Sequence, residues 1–222
     1  MPPLPAFFDY HPPTEPWLNV LYADEDILVV DKPSGLLSVA GKDPALADCL
    51  AVRAAERFPG ARIVHRLDKD TSGLMVLGLS KRAISGLGIQ FEKRQTKKAY
   101  VARVFGDIAE ESGRVDLPLA VDWENKPRQR VDFEHGRPAQ TDWQVIGRED
   151  GVTRVALVPR TGRTHQLRVH MLAIGHPILG DTFYAEGPAL AAADRLQLHA
   201  AELSFSHPAD GRRCDFLSAP PF

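Results

Sequence analysis

Short apolar runs of strand length punctuate this chain, with only three helical patterns among them. The two kinds do not alternate in strict strand–helix–strand order. That distribution points to an α+β fold rather than a doubly wound parallel sheet. Trp17 to Val30, WLNVLYADEDILVV, holds two apolar runs about a turn at Ala23–Asp26 and predicts a β-hairpin. Turn residues at Asp31 to Gly35 end it. Pro44 to Phe58 reads as an amphipathic helix, with Leu46, Leu50 and Ala54 on one face and Pro59-Gly60 as the stop. Lys81 to Arg94 and Gln166 to Ala173 read as two more helices, the last ended by Gly175. Strands are expected from Leu74, over Lys97 to Phe105, near Arg114 to Leu119 and Gln129 to Phe133, and in a hairpin of Thr141–Val145 with Thr153–Val158. Two more fall in the tail, at LQLHAAELSF and RRCDFL.

The ends and the composition set the class. Met1 to Pro16 contains six prolines and is expected to be an extended arm, because proline lacks the N–H that helices and central strands need. Residues 17–222 are expected to form one catalytic domain. No basic leader and no apolar run of membrane-spanning length is present, so a soluble, cytoplasmic protein is expected. Two cysteines, Cys49 and Cys214, exclude a disulfide framework and a cysteine-based zinc site. His165 and His170 are poorly spaced for one helical metal face, so no metal is expected.

A net charge of -2 hides a strong segregation. From Lys81 to Arg103 there are seven basic residues and one acid, Glu92. From Val152 to Gly180 there are four arginines and three histidines with no acid. A near-neutral chain with such stretches can bind a polyanion through one face, although a merely solvated surface reads the same way.

Three segments carry chemistry. His65 to Leu74, HRLDKDTSGL, is a polar loop running into an apolar strand, a common place for catalytic groups. Asp68 lies between Arg66 and Lys69 in this segment and is expected to be ionised, able to act as nucleophile or base. Asp68, Thr71 and Ser72 fit ordinary turn residues equally well. Pro159 to His170, PRTGRTHQLRVH, offers Arg163, His165 and Arg168 to phosphates or a carboxylate, and Gln166 to a base edge. In KKAYVA, Lys98 and Tyr100 share a strand face beside Lys97, which suits a base stacked next to a phosphate path, though a core tyrosine is the commoner case. Lys32-Pro33-Ser34-Gly35-Leu36 is weaker and fits a simple turn.

Together, HRLDKDTSGL, DKPSGLL at Asp31–Leu37, KKAYVARVFG at Lys97–Gly106 and TGRTHQLRVHMLAIGHPILGD at Thr161–Asp181 resemble the RluA family of RNA pseudouridine synthases. The resemblance runs from about Trp17 to the C-terminus, and DLPL, RPAQT and LHAAEL fit it too. It implies a mixed, largely antiparallel sheet with flanking helices and a central RNA-binding cleft. Only the proline-rich arm precedes the catalytic region, so the S4-type RNA-binding domain of many relatives is not expected. The resemblance also implies roles. Asp68 matches the catalytic aspartate, Tyr100 the tyrosine packed against the target base, and Arg168 the basic partner of the aspartate. Arg66 matches an arginine that enters the RNA stack where the base has left. His65, Lys32, Lys97, Lys98, Arg163, His165 and Gln166 are expected to contact RNA. Asp31 stands where relatives often carry asparagine.

The implied reaction breaks the N1–C1′ bond of uridine, turns the base and joins C5 to C1′. It needs no cofactor. The base must leave the RNA stack first, at a cost of a few kcal/mol. Attack by Asp68 at C1′, attack at C6 and removal of the C2′ proton all start from the carboxylate anion. The short length and the opening sharpen the resemblance, which implies two targets, a uridine in a 23S rRNA loop and one in the tRNA anticodon loop; nothing in the sequence demands more than a monomer. A single RNA target is the main alternative; a non-catalytic RNA binder or a metal-dependent hydrolase fits less well.

Overall fold

A turn held by one carboxylate joins the first two strands. In the computed structural model, which describes residues 10–222, β1 (Val20–Ala23) and β2 (Ile27–Lys32) form the expected hairpin. Asp24 Oδ1 accepts from the backbone N–H groups of Asp26 and Ile27. Residues 1–9, most of the expected arm, lie outside the described residues. Residues 10–16 contact the body through Tyr10, whose hydroxyl donates to Asp48 O and accepts from Leu37 N–H, and through Pro13 O, which accepts from Arg53.

The helix expected over Pro44–Phe58 is shorter. A 3-10 turn at Pro44–Leu46 is followed by a break and then α1 (Leu50–Arg57). Cys49 is extended at φ -160°, and the first N–H groups of α1 donate to Leu37 O and Ser38 O. A foreign chain segment therefore caps α1, and the helix cannot continue backward through Ala47.

Next come β3 (Arg62–Ile63), β4 (Ser72–Gly78), α2 (Lys81–Glu92) and β5 (Lys97–Phe105). Ser80 caps α2 by accepting from Ala83 N–H. Then follow β6 (Ser112–Asp116), β7 (Leu119–Val121), β8 (Gln129–Val131), β9 (Gln140–Glu149) and β10 (Val152–Pro159). The chain ends with α3 (Gln166–Ala173), α4 (Gly187–Ala191), β11 (Leu198–Ser206) and β12 (Arg213–Leu217). The β9–β10 hairpin is longer than its apolar pattern, and turns at Asp150-Gly151, both at positive φ.

The sheet runs β1-β2-β4-β11-β5-β10-β9-β6, with β3 on β4 and β12 on β11. All its strand pairs are antiparallel except β4 with β11. This is the mixed, largely antiparallel α+β sheet the sequence predicts. β7 and β8 pair apart from it. One buried cluster fills the β5–β10–α3 half around Val104, Leu157 and Met171. Another fills the β2–β4–α1 half around Val30, Met75 and Leu50. Tyr100 packs against both, so β5 lays its ring on the seam between the halves.

The parallel contact imposes one sequence requirement. Gly73 sits at φ +114° opposite Ala200, and a Cβ there would run into the Ala200 peptide. Gly73→Ala is therefore expected to cost about 3 kcal/mol or more, combining backbone strain with overpacking. Urea unfolding of the variant against the wild type measures this.

Candidate active site

Asp68 lies on the loop between β3 and β4, and its backbone neighbours are held from behind. Ser38 Oγ accepts from Leu67 N–H and donates to Leu67 O. Lys32 Nζ and Gly35 N–H both donate to Lys69 O, and Ser34 Oγ donates to Asp70 O. The segment Lys32–Ser38 is thus a clasp on the loop. Lys32 is fully buried, and its ammonium also donates to Pro33 O and Leu36 O. Burial pushes it down to about 7, against the pull of Asp70 and Asp68. This corrects the expectation that Lys32 contacts RNA: no surface of it is left to do so.

A second tie holds the start of β4. Arg195 donates to Ser72 Oγ at 2.7 Å, Ser72 lies 2.9 Å from His199 Nδ1, His199 Nε2 lies 3.0 Å from Ser218 Oγ, and Ser218 donates to Asp31. With guanidinium and carboxylate at the ends, every hydroxyl proton points one way. His199 then carries its proton on Nε2 and is neutral, in keeping with the lowering that burial imposes on it. Asp31, on which the resemblance gave no role, is the acceptor that ends this chain.

The Asp68 carboxylate, 22% exposed, faces Arg168 Nη1 at 3.7 Å and His165 Nε2 at 4.0 Å. Its charged neighbours are therefore not those of the sequence: Lys69 pairs with Asp70 at 3.4 Å. Arg168, at the buried start of α3, spends its bidentate fork on Asp181, with bonds of 2.7 and 2.6 Å. The expected Asp68–Arg168 pair exists, but it is the outer and longer of two. Asp181 is fully buried and also accepts from the N–H groups of Phe183 and Tyr184. Burial works against the guanidinium charge, yet Asp181 and then Asp68 raise its pKa overall.

His165 is 8% exposed and left-handed, at φ +54°. Tyr184 Oη accepts from Gln129 N–H, so its proton is free to go to His165 Nδ1, 2.7 Å away. That leaves the His165 proton on Nε2, aimed at Asp68. Burial lowers the His165 pKa and keeps the ring neutral.

A cavity of about 330 Å³ opens over Asp68. Tyr100, Arg66, Lys98, His65 and Arg163 line it. Burial and then Asp68 push the Tyr100 phenol up, so it keeps its proton, and among the described residues its hydroxyl has no hydrogen-bond partner. Arg66 is exposed at the wall. Lys98 lies 5.6 Å from the Phe91 ring, and burial lowers its pKa. Lys97 is exposed and lines an adjoining groove rather than this cavity.

Two further expected RNA contacts are structural. Gln166 is buried, and its amide is saturated: Oε1 accepts from Thr161 Oγ1 and Arg163 N–H, while Nε2 donates to Gln140 O and Thr141 Oγ1. It reads no base edge; it fastens the Arg163 loop to β9. His65 accepts from Val76 N–H and stacks on Phe91 with centroids 4.2 Å apart. Burial and then Lys98 push its ring down to about 3, so it offers no cation to a phosphate. Asp181 closes the Thr161–Asp181 motif without a role assigned to it and Tyr184 lies outside that motif; their place behind Arg168 and His165 reveals what they do.

These burials have measurable effects. The His65 ring proton resonances should not titrate between about pH 8 and about pH 5, where an ordinary imidazole changes charge. Below its ordinary pKa the unfolded ring binds a proton that the native ring refuses, so His65 withdraws stability as pH falls toward about 3. Arg168→Ala leaves the Asp181 carboxylate buried and unpaired and should cost about 3–5 kcal/mol, seen in thermal unfolding.

Comparison with known proteins adds a family to this geometry. The sequence profile described as RNA pseudouridylate synthase matches residues 26–173. A protein of Escherichia coli strain K12 named dual-specificity RNA pseudouridine synthase RluA is 52% identical over 96% of this chain and 98% of its own. A Vibrio vulnificus protein of the same name is 53% identical over 91% of this chain and 83% of its own. Among solved structures, human RNA pseudouridylate synthase domain containing 1 superposes with a TM-score of 0.78 at 33% identity, over 92% of this chain and 84% of that one.

Proposed function

The chain belongs to the RNA pseudouridylate synthase family and is an enzyme that isomerises uridine in RNA; from that premise we propose that Asp68 performs the chemistry in the cavity under Tyr100. One observation carries the assignment. Asp68 is a carboxylate at the floor of a nucleobase-sized cavity, held between a buried guanidinium and an imidazole N–H. The two neighbours face the carboxylate from beyond hydrogen-bond distance, so its oxygens stay available to the substrate.

The target uridine leaves its stack and enters this cavity. Its base lies against the Tyr100 ring, whose protonated hydroxyl has no hydrogen-bond partner among the described residues. Arg66, exposed at the rim, takes the place the base vacates. Asp68 acts as the anion, at C1′, at C6 or on the C2′ proton. The N1–C1′ bond breaks, the base turns within the cavity, and C5 joins C1′; the C5 proton is then lost and N1 regains one. Atoms balance without a cosubstrate. Arg168 serves from behind, tied to Asp181, and keeps charge opposite Asp68 throughout.

We take the targets to be a 23S rRNA loop and the tRNA anticodon loop, in keeping with relatives named dual-specificity. Unpaired loop bases are the easiest to splay out. All groups invoked here come from one chain, and residues 17–222 are read as one catalytic domain with a short proline-rich arm. No helix among the described residues is long and apolar enough to cross a membrane, and a cytoplasmic site of action suits an RNA substrate.

Tritium release from C5-labelled uridine tests the reading. Wild type should release label from tRNA and 23S rRNA transcripts with EDTA present. Asp68→Asn should release none while binding RNA within a few-fold of wild type. Full release by Asp68→Asn would overturn the assignment.

A further inference from the structure

Nine of the nineteen arginines lie within 4.0 Å of a carboxylate oxygen among the described residues. Arg53, Arg82, Arg114, Arg160, Arg168 and Arg212 each lie 2.5–2.7 Å from an aspartate oxygen. Three of the arginines without such a partner lie near the cleft. Arg94 ends the α2–β5 turn in a left-handed conformation at φ +56°. Arg137 lies just before β9, and Arg163 on the loop that leads into α3. Among the described residues none of the three has a carboxylate within ion-pair distance.

They converge nonetheless. Arg163 Nε donates to Pro138 O at 3.1 Å, which seats it beside Arg137. Arg94 and Arg163 line one groove of about 680 Å³. Arg137 and Arg94 both push the Arg163 pKa down, behind its own burial, as like charges held close do. Three separate segments thus bring positive charges close together, with no carboxylate paired to any of them among the described residues. The groove runs straight on from the Asp68 cavity: Phe91, Lys98, Pro159 and Arg163 line both. Lys97 adds charge along it. Glu92 and Glu202 line it as well, without pairing to the three arginines.

We propose that Arg94, Arg137 and Arg163 form a phosphate-binding cluster that grips the RNA backbone next to the target uridine, in the groove continuing from the cleft. The inference rests on the proposed function and extends it to the strand that flanks the flipped base. A guanidinium matches a phosphate with two parallel bonds, and three of them concentrate positive charge beside the cleft. Gripping one neighbour of the target fixes the direction in which the strand crosses Asp68. The cluster therefore governs which RNAs bind and leaves the bond-breaking step alone.

The test uses synthetic anticodon stem–loop RNAs in which one loop phosphate at a time is neutralised as a methylphosphonate. Affinity and single-turnover rate are measured for wild type, for Arg94→Ala/Arg137→Ala, and for Arg57→Ala at the exposed end of α1. One phosphate beside the target should weaken wild-type binding about tenfold when neutralised, the scale of one charged hydrogen bond. The same neutralisation should cost the double variant nothing further. Its salt dependence should be shallower by about 0.7 for each phosphate it no longer neutralises. Its rate at saturating RNA should match wild type. A methylphosphonate penalty that persists undiminished in the double variant overturns the cluster, and so does an equal loss of affinity in Arg57→Ala. Tritium release by wild type on the same RNA keeps the two readings apart. Release without coupling overturns the cluster alone; coupling without release leaves the cluster and overturns activity on that RNA; neither overturns both.

Discussion

A guanidinium buried to 2% exposure cannot stand without an anion, and much of this structure answers that constraint. Arg168 meets it with Asp181, which is wholly buried and bound in turn by two backbone N–H groups. The fork is thereby used up, and only Nη1 turns outward. That nitrogen faces Asp68 from 3.7 Å, close enough to set a positive charge opposite it and too far to occupy it with a hydrogen bond. The rings of Phe183 and Tyr184, about 5 Å from the guanidinium carbon, close its remaining sides. Tyr184 then passes its proton toward His165, which aims its own at Asp68. One buried charge thus organises both groups that face the acid.

The acid itself must not move, and the fold restrains it through the backbone rather than the side chain. Lys32, Ser34, Gly35 and Ser38 grip the peptides on either side of Asp68. Beyond them, the chain from Arg195 through Ser72 and His199 to Ser218 and Asp31 pins the first residue of β4. Gly73 lets β4 and β11 approach closely enough for that chain to close. Groups held this way keep their geometry when a substrate arrives, which is where much of an enzyme's rate acceleration originates.

A good part of this was legible in the order of residues. The span of β5, the end of α3 and the hairpin of β1 and β2 follow local pattern, because each is fixed by alternation or by turn residues within a few positions. Asp68, Tyr100 and Arg168 stood out through their motifs, and the structure brings them round one cavity. Other residues misled. Lys32 and Gln166 read as RNA contacts because they are polar and sit in polar motifs, but both point inward and are saturated by buried partners, most of them main-chain carbonyls. The start of α1 misled too, since its cap comes from Leu37 and Ser38 rather than from its own preceding turn.

Residue order was enough for most of the strands, for α2 and α3, for the loop that bears the acid, and for the family that the chain's motifs resemble. These depend on contacts between near neighbours or on residue types at short spacing. Packing was needed to make Asp181 the main partner of Arg168, to put Asp31 at the end of a hydrogen-bond chain, and to set Arg94 and Arg163 on one groove with Arg137 close to Arg163. Each joins segments that lie far apart along the chain. Direction and burial belong to the packed molecule: a lysine's ammonium seeks water or a ring of carbonyls according to what surrounds it, and only the folded protein supplies the surroundings.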